Sequence, residues 1–559
     1  MTKQRLTISH KRWLTAIWLL FIVAFALLHA LHLSADFPNH SPWYMDWAKY
    51  TDEGWYGNAA IRAHLFGNWY LAGDFNPAPA VPLWPFLEWL LFFFTGVTVE
   101  AARGLAVAFF FCNLLLSYLL LRSRGPRWVA LLALTLIVTS PFLYCFSRLA
   151  ILEPMLTTLT LAALNLAVRL PRWRRPIAAS VVIGLLFTLM MLTKTTAVFL
   201  LPALGWAMLR PLASDRRLAA RATMAACGAF AVSFGLWMAL VVRFGYYPDY
   251  KYLFFVNKYI KPSEFYWPLL SFWWSFHGGL WVGRILIPLA GLVTLVTVGA
   301  ASRAFFRSPS KPGPAPTRNW ARELLLDPVF GASILSVAGY VLFMTYQNHP
   351  QPRYFAVVAF FCFFIIAQGS GALIGHAAET GQGQPWSSWQ ESLGWTVVAM
   401  ASLTAGFNAL QTAHYAAHPE YTFVDAARRL TQYIDAHPNG NRLLVSISGD
   451  QITLVTHLPT LCDDFGTPSR AYPDLVTKLA RYQPGWWATW NDIDPGTLED
   501  IHTHFSLEQV ASFRAFDDPE RNVLVLFKLH PLPGGDVRSA GDQNLQVTLP
   551  DDKIGIPIQ

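Results

Sequence analysis

Along its 559 residues this chain returns repeatedly to apolar runs of about 20 residues, the length a helix needs to cross the hydrocarbon core of a bilayer. Backbone polar groups in lipid have no water to bond, so runs of this length satisfy themselves as helices. The candidate spans are 13–33, 104–122, 128–143, 154–169, 177–192, 195–209, 221–242, 281–300, 328–346, 354–375 and 393–411. The chain is 54% hydrophobic and only 14% charged, whereas soluble domains carry about a quarter charged residues. The expected fold class is a polytopic α-helical membrane protein with roughly eleven transmembrane helices and a small C-terminal α/β extramembrane domain.

The net charge of +8 is no nucleic-acid footprint, because Lys and Arg cluster in short loops between spans. Arg122, Arg124 and Arg127 mark one such loop, Arg169 to Arg175 the next, Arg210 to Arg221 a third and Arg303 to Arg322 a fourth. By the positive-inside rule these loops are cytoplasmic, as is the N-terminus with Lys3, Arg5, Lys11 and Arg12. The first apolar run is long and lacks a small-residue cleavage site before Asp36, so it reads as a retained anchor rather than a signal peptide. Leu83–Thr95 is apolar but short, contains Glu88 and follows Pro79 and Pro82. Counting it as a span would put Arg122–Arg127 outside, so it is expected to be an interfacial or re-entrant helix. The loop 376–392 carries no Lys or Arg and is placed by parity alone. Its outer counterparts are 34–103, 144–153, 193–194, 243–280 and 347–353, of which 243–280 is rich in aromatics and carries Lys251, Lys258 and Lys261. The stretch 308–318 reads as a Pro-rich linker.

From about His414 charged residues rise and apolar runs shorten to strand length. Phe423–Ala436 and Tyr472–Arg481 read as helices, and Leu443–Ser446, Gly485–Trp490 and Asn522–Leu529 as strands. The division is therefore 1–413 for a transmembrane domain, whose loop 34–103 carries interfacial helices, and 414–559 for an α/β domain outside the membrane. No G-x-G-x-x-G turn marks a nucleotide site, and the tail after Pro533 is expected to be loosely ordered. Of the five cysteines, none has metal-ligand spacing. Cys145 and Cys462 both fall on the outer side, where a disulfide is permitted.

The residues able to carry chemistry gather at that same face: Asp52, Glu53, Arg148, Glu153, Lys194, His349 and Arg353. Most sit where an apolar run meets a very short loop, a costly place for a charge without water, partner or ligand. Taken singly, each reads as an interfacial anchor; seven on one side point to a site. Asp52 and Glu53 lie in a loop crowded with Trp43, Tyr44, Trp47, Tyr50, Trp55, Tyr56, Trp69 and Tyr70, a composition suited to the membrane–water interface. Asp52 and Glu153 suit deprotonation of a hydroxyl. Arg148, Lys194, His349 and Arg353 suit an anionic headgroup, Arg as a planar fork and Lys as a point charge.

Four patches, in order, resemble the GT-C membrane glycosyltransferases, most closely the group of protein O-mannosyltransferases and lipid A aminoarabinose transferases. The first comprises Asp52-Glu53-Gly-Trp-Tyr-Gly-Asn, Gly73-Asp74-Phe-Asn-Pro77 and Pro82-Leu-Trp-Pro85. The others are Ser147-Arg148-Leu-Ala-Ile-Leu-Glu153-Pro, Thr193-Lys194 before Leu201-Pro202, and Arg353-Tyr354 opening a late span. The His-Pro-Pro usual in the group is replaced by Pro79-Ala80-Val81-Pro82, and Glu153 stands where many relatives have Asp. The resemblance implies an inverting transferase that moves a sugar from a polyprenyl-phosphate donor to an acceptor hydroxyl. It makes Asp52 the general base, with Glu53 shaping the same site. Arg148 and Glu153 become a supporting pair or sugar contact, and Lys194 and Arg353 face the donor phosphate. The acceptor is a protein, a lipid or a cell-envelope glycan, handled by the C-terminal domain.

No cofactor or metal is required by this chemistry, although a divalent ion at Asp52 and Glu53 is compatible with it. The expected location is a bacterial inner membrane, with the C-terminal domain periplasmic. The alternative is a lipid or solute transporter or flippase, which needs charges near the membrane midplane, broken helices and often repeats. This chain instead carries its charges at span ends and shows no repeat. An anchoring subunit that docks a partner on its aromatic loops is a third reading.

Overall fold

The computed structural model describes residues 2–36, 51–71, 74, 77–256, 285–306, 320–346, 351–380, 385–462, 475–491, 493–515 and 522–533. Several residues singled out in the sequence lie outside these: His349, Trp43, Tyr44, Trp47, Tyr50, Gly73, Phe75, Asn76, Lys258, Lys261, the 308–318 stretch and the tail beyond 533.

The chain begins with α1 (Thr2–Leu28). The first outer loop holds α2 (Asp52–Phe66) and α3 (Leu83–Thr95). Next come α4 (Val99–Arg122), α5 (Arg127–Thr139), α6 (Pro141–Phe146), α7 (Leu152–Ala167) and α8 (Pro176–Thr193). They are followed by α9 (Leu201–Leu209), α10 (Arg216–Arg243) and α11 (Tyr247–Lys251). The bundle finishes with α12 (Leu286–Phe306), α13 (Trp320–Leu325), α14 (Pro328–Tyr346), α15 (Phe355–Thr380) and α16 (Pro385–Ala417).

Among the described residues, eight helical runs are long and apolar enough to cross a membrane. Shorter apolar helices at Arg12–Leu28, Arg127–Thr139 and Leu152–Ala167 occupy three further expected spans. Local chemistry explains where spans differ from the expectation. The run 128–143 is not one helix: Ser140 ends α5 in extended backbone, its side chain accepts the Leu143 N–H, and Pro141 starts α6, a position where a missing N–H costs nothing. The run 195–209 opens as a 3₁₀ turn, Thr195–Leu200, before α9. The expected loop 376–392 shrinks, because α15 runs to Thr380 and α16 begins at Pro385.

The helix α15 is the centre of the bundle, with 83% of its apolar window buried. At the other extreme, only 11% of the α10 window is buried, and Val232 and Leu236 face outward, as a lipid-facing helix requires. The 13 residues of α3 span only about 20 Å at 1.5 Å per residue, too little for a hydrocarbon core. One face exposes Phe86, Phe93 and Phe94 while Trp84, Glu88 and Phe92 are buried. That pattern suits a helix lying in the interface.

The C-terminal region continues with α17 (Thr422–Ala436), β1 (Leu444–Val445), α18 (Gly449–Thr456), β2 (Thr460–Leu461), α19 (Leu475–Tyr482), β3 (Trp486–Trp490), α20 (Pro495–His502), β4 (Phe505–Arg514) and β5 (Val523–Pro531). The sheet order is β2-β1-β3-β5-β4. Strands β1 and β2 pair in parallel, as do β1 and β3, while β5 pairs antiparallel with β3 and β4. The register between β4 and β5 shifts between Gln509 and Ala511, which re-aims the rest of β4. Trp486 and Trp490 point to the face packed by α17, and Trp487 points to the opposite core with Leu475 and Leu479, the alternation a two-sided strand dictates. The expected strands and α17 are present. Three further elements, α18, β2 and β4, join them, together with the two-turn helix α20.

Candidate active site

The acidic pair Asp52-Glu53 forms the first turn of α2, where the helix dipole favours negative charge. Every residue from Asp52 to Arg62 is buried, so this is no solvated loop. The two carboxylates serve different partners.

Asp52 pairs with Arg353, Nη2 to Oδ2 at 2.7 Å, and both side chains are buried. Thr51 Oγ1 donates to Asp52 Oδ1 at 3.2 Å. Arg353 is held in place by a 3₁₀ turn, Pro352–Tyr354, that leads into α15. A second buried pair joins Lys194 Nζ to Glu153. Lys194 sits in extended backbone between α8 and the 3₁₀ turn that follows it, a break that turns its side chain inward from the helix end. Glu153 lies in the first turn of α7.

Tyr354 joins the two pairs. Lys194 Nζ lies 4.3 Å from its ring centroid and the Arg353 guanidinium carbon 5.1 Å, both within cation–π range. Tyr56, one turn along α2 from Asp52, is within electrostatic reach of Asp52, Arg353, Glu153 and Tyr354. Burial, and then the Asp52 charge, push its hydroxyl well above the ordinary tyrosine range, so Tyr56 is a neutral hydroxyl at physiological pH. Residues from four distant stretches thus converge at the ends of α2, α7, α8 and α15, with two acids and two cations in mutual balance.

Glu53 belongs to a neighbouring ionic clamp. Arg103 of α4 donates to it twice, Nε to Oε1 at 2.7 Å and Nη2 to Oε2 at 2.6 Å. The Ala150 N–H donates to Oε1 at 2.8 Å and Gln451 Nε2 to Oε2 at 2.9 Å. Arg103 also donates to the Leu33 and Ala35 carbonyls. Four bonds to one carboxylate tie α2, α4, the turn before α7 and α18 together, so Glu53 shapes the site by fixing its frame. Arg148 donates to Tyr144 Oη and to the Leu31 and His32 carbonyls, satisfying carbonyls just beyond the end of α1. The Arg148–Glu153 pair that the resemblance implied is not formed among the described residues, since Glu153 takes Lys194 instead. His349 lies outside the described residues.

Sequence reasoning missed Arg103, which was placed just outside the span beginning at 104. An Arg in the second turn of α4, ahead of a run with no further charge until Arg122, was the available signal. It also missed a third cluster that welds α2 to the C-terminal sheet. Asn58 Nδ2 donates to Asp450 Oδ1 at 2.9 Å, and Arg62 donates to Asn58 Oδ1 and to the Thr460 carbonyl, each at 2.6 Å. Lys478 Nζ donates to Asp74 Oδ1 and to the Cys462 carbonyl, each at 2.9 Å. Nearer the end of α1, Asp36 accepts the Val424 N–H of α17 at 3.2 Å. Cys145 and Cys462 are buried free thiols; no disulfide joins them.

Burial raises the Asp450 carboxyl to about 7, against the opposing charge of Arg62. A carboxyl raised in the fold stays protonated there while the unfolded chain, with an ordinary carboxyl near 4, has released its proton. Between pH about 4 and about 7 the fold therefore binds the extra proton, and this group makes stability fall as pH rises through that window. Asp450→Asn keeps an acceptor for Asn58 and removes the titration. Its thermal midpoint relative to the wild type is expected to climb from pH 4 to pH 7 and then level off; a pH-independent difference in melting would contradict this.

Beside α2 lies an apolar hollow of about 350 Å³, lined from α2, α3 and α10 by residues including Ala59, Ala63, Pro85, Trp89 and Trp237. Its lining suits a hydrocarbon chain rather than a polar ligand.

No protein-family model matches this chain, and no curated protein matches its sequence. Solved structures do. The apo state of ArnT from Cupriavidus metallidurans has a TM-score of 0.58 at 15% identity, covering 92% of this chain and 98% of that one. ArnT from the same organism bound to undecaprenyl phosphate gives 0.55 at 15% identity, with 91% and 98% coverage. The oligosaccharyltransferase AglB from Archaeoglobus fulgidus, in complex with an inhibitory peptide and a dolichol-phosphate, gives 0.50 at 12% identity, with 94% and 75% coverage. This chain has the fold of these structures over nearly its whole length, and its long apolar helices are those of an integral membrane protein.

Proposed function

We propose that this chain, built on the GT-C membrane fold, is an inverting glycosyltransferase that moves a sugar from a polyprenyl-phosphate donor to an acceptor hydroxyl. The observation that carries the reading is the double ion pair around Tyr354: a buried carboxylate base and two buried cations at one end of a membrane bundle. The structural neighbours bound to undecaprenyl phosphate and to a dolichol-phosphate support a lipid of the same chemistry here.

In this reading Asp52 takes the proton of the acceptor hydroxyl as the oxygen attacks the anomeric carbon. The bond from that carbon to the phosphate oxygen breaks on the opposite face, and the configuration inverts. The departing polyprenyl phosphate carries the negative charge that Lys194 and Arg353 are placed to meet, a charge-assisted stabilisation that grows as the bond breaks. The charge is met by side chains, so the reading assigns no step to a metal. In the resting arrangement the cations are occupied by the acids, Lys194 by Glu153 and Arg353 by Asp52. An arriving phosphate competes for both cations and so unmasks the Asp52 carboxylate. Donor binding then precedes base activation, which protects the activated site from idle hydrolysis. The apolar hollow beside α2 is of a size and lining to take part of a lipid chain. The C-terminal unit and the site are read as periplasmic, on the inner membrane of a bacterium.

A phosphate bound by two cations sets a binding expectation. Lys194→Ala and Arg353→Ala are each expected to weaken polyprenyl-phosphate binding by about 10- to 100-fold, from about 1.5–3 kcal/mol per hydrogen bond to a charged group. Asp52→Asn is expected to bind at least as tightly as the wild type, because it releases Arg353. Titration of each purified variant with short-chain polyprenyl phosphate measures this. Equal affinity across all three variants and the wild type would remove these cations from phosphate recognition.

A further inference from the structure

The base candidate stands on a helix whose own sequence does not cap it. Thr51 precedes α2, but its side chain donates to the Asp52 carboxylate rather than accepting from a helix N–H. The Gly54 N–H is among the first N–H groups of a helix, which lack an intrahelical partner and are ordinarily met by the capping side chain. Here it donates to Gln451 Oε1 at 2.8 Å, across 397 positions of sequence. The other arm of the same amide, Nε2, donates to Glu53 Oε2 at 2.9 Å. Gln451 is 1% exposed, so neither bond competes with solvent. Its orientation is fixed by chemistry: flipping the amide would oppose an NH₂ to the Gly54 N–H and a carbonyl oxygen to the Glu53 carboxylate.

The backbones are equally close. A Cβ at Gly54 would lie 2.2 Å from the Asp450 carbonyl carbon and oxygen and 2.4 Å from the Gln451 nitrogen. Only glycine permits this approach, which seats α18 against the first turn of α2. One turn further on, Asn58 holds Asp450, and Arg62 holds the Thr460 carbonyl.

We infer that Gln451 is a positioning residue for the proposed reaction: by capping Gly54 and gripping Glu53, it fixes the turn that carries Asp52. The C-terminal α/β unit is then part of the catalytic frame rather than only a platform for the acceptor. Gln451 bonds the Gly54 backbone and the Glu53 carboxylate and so acts through α2. This rests on the glycosyltransferase reading for its kinetic consequence, but its structural half does not.

Gln451→Met keeps the length and removes both hydrogen bonds. Gly54→Ala reaches the same contact from the other side. Both variants are expected to lower kcat on the order of tenfold or more, since small misplacements of a reacting group carry such penalties, while the donor KM stays at the wild-type value. The constants are measured per folded, monodisperse protein, so that a smaller active fraction does not mimic the loss of kcat. Hydrogen–deuterium exchange of the full-length protein supplies a second readout that needs no substrate. Amides of residues 52–58 are expected to lose protection in Gln451→Met, with β3 and β5 unchanged. Wild-type exchange in residues 52–58 together with wild-type kcat overturns the inference. If no donor is turned over by any form, the glycosyltransferase reading fails while the exchange result still decides whether Gln451 clips α2.

Discussion

Asp52→Asn is expected to abolish sugar transfer while leaving a folded, membrane-inserted protein that still binds polyprenyl phosphate. The amide keeps the volume of the carboxylate and an oxygen for Thr51 and Arg353, but it has no lone pair basic enough to take a hydroxyl proton. Loss of general-base catalysis costs about 10²- to 10⁴-fold. The whole loss should fall on kcat. Donor affinity is expected to hold or rise, because Arg353 is no longer drawn to the opposing charge 2.7 Å away. The diagnostic result is this opposition of signs, with turnover lost and phosphate binding kept. Single-turnover assays beside equilibrium binding on one preparation would show it. An Asp52→Asn protein with turnover close to the wild type removes Asp52 from the base role, and one that has lost both turnover and binding shows a misassembled site.

The second large effect is on stability. Arg103→Ala is expected to destabilise the protein by about 3–5 kcal/mol, the cost of leaving a buried charge without its partner. Glu53 is wholly buried, and without Arg103 it retains only the Ala150 and Gln451 donors. The loss should appear as a lower thermal midpoint and lower yield of monodisperse protein in detergent. Glu53→Gln in the Arg103→Met background removes both charges together and is expected to recover much of that loss, since a buried pair replaced by neutral groups of similar volume is often close to neutral. An Arg103→Ala protein as stable as the wild type would mean that the clamp contributes nothing to the frame around Asp52.

The legible parts of this chain were those that obey a period or a cost. Uncharged runs of membrane-crossing length placed the spans, because lipid admits few other structures. The short Glu88-containing run was set aside as interfacial by loop charge, and α3 has the length and the one-sided exposure of such a helix. Strands β1, β3 and β5 announced themselves as short apolar runs between polar turns. Strand β4 did not, since its bulge breaks the alternation that would have marked it. The charged residues at span ends were recognisable because each is expensive where it stands. Their pairing was not. Nothing in the sequence says that Lys194 meets Glu153 rather than that Arg148 does, because the partner depends on how α7 and α8 turn at their ends. The amide clip was least visible of all. Gln451 is an uncharged residue in a short helix, and its proposed role comes from the Gly54 backbone and the Glu53 carboxylate that packing brings to it.

Consumption of a polyprenyl-phosphate sugar with Asp52 as base is the activity expected of this site. It is tested most directly by incubating the purified wild type and Asp52→Asn with a panel of labelled polyprenyl-phosphate sugars, each with envelope-derived acceptor, and measuring released polyprenyl phosphate. Release from at least one donor by the wild type, and none by Asp52→Asn, is the predicted result. Equal release by both proteins, or uptake of labelled lipid into vesicles without release from any donor, would contradict it.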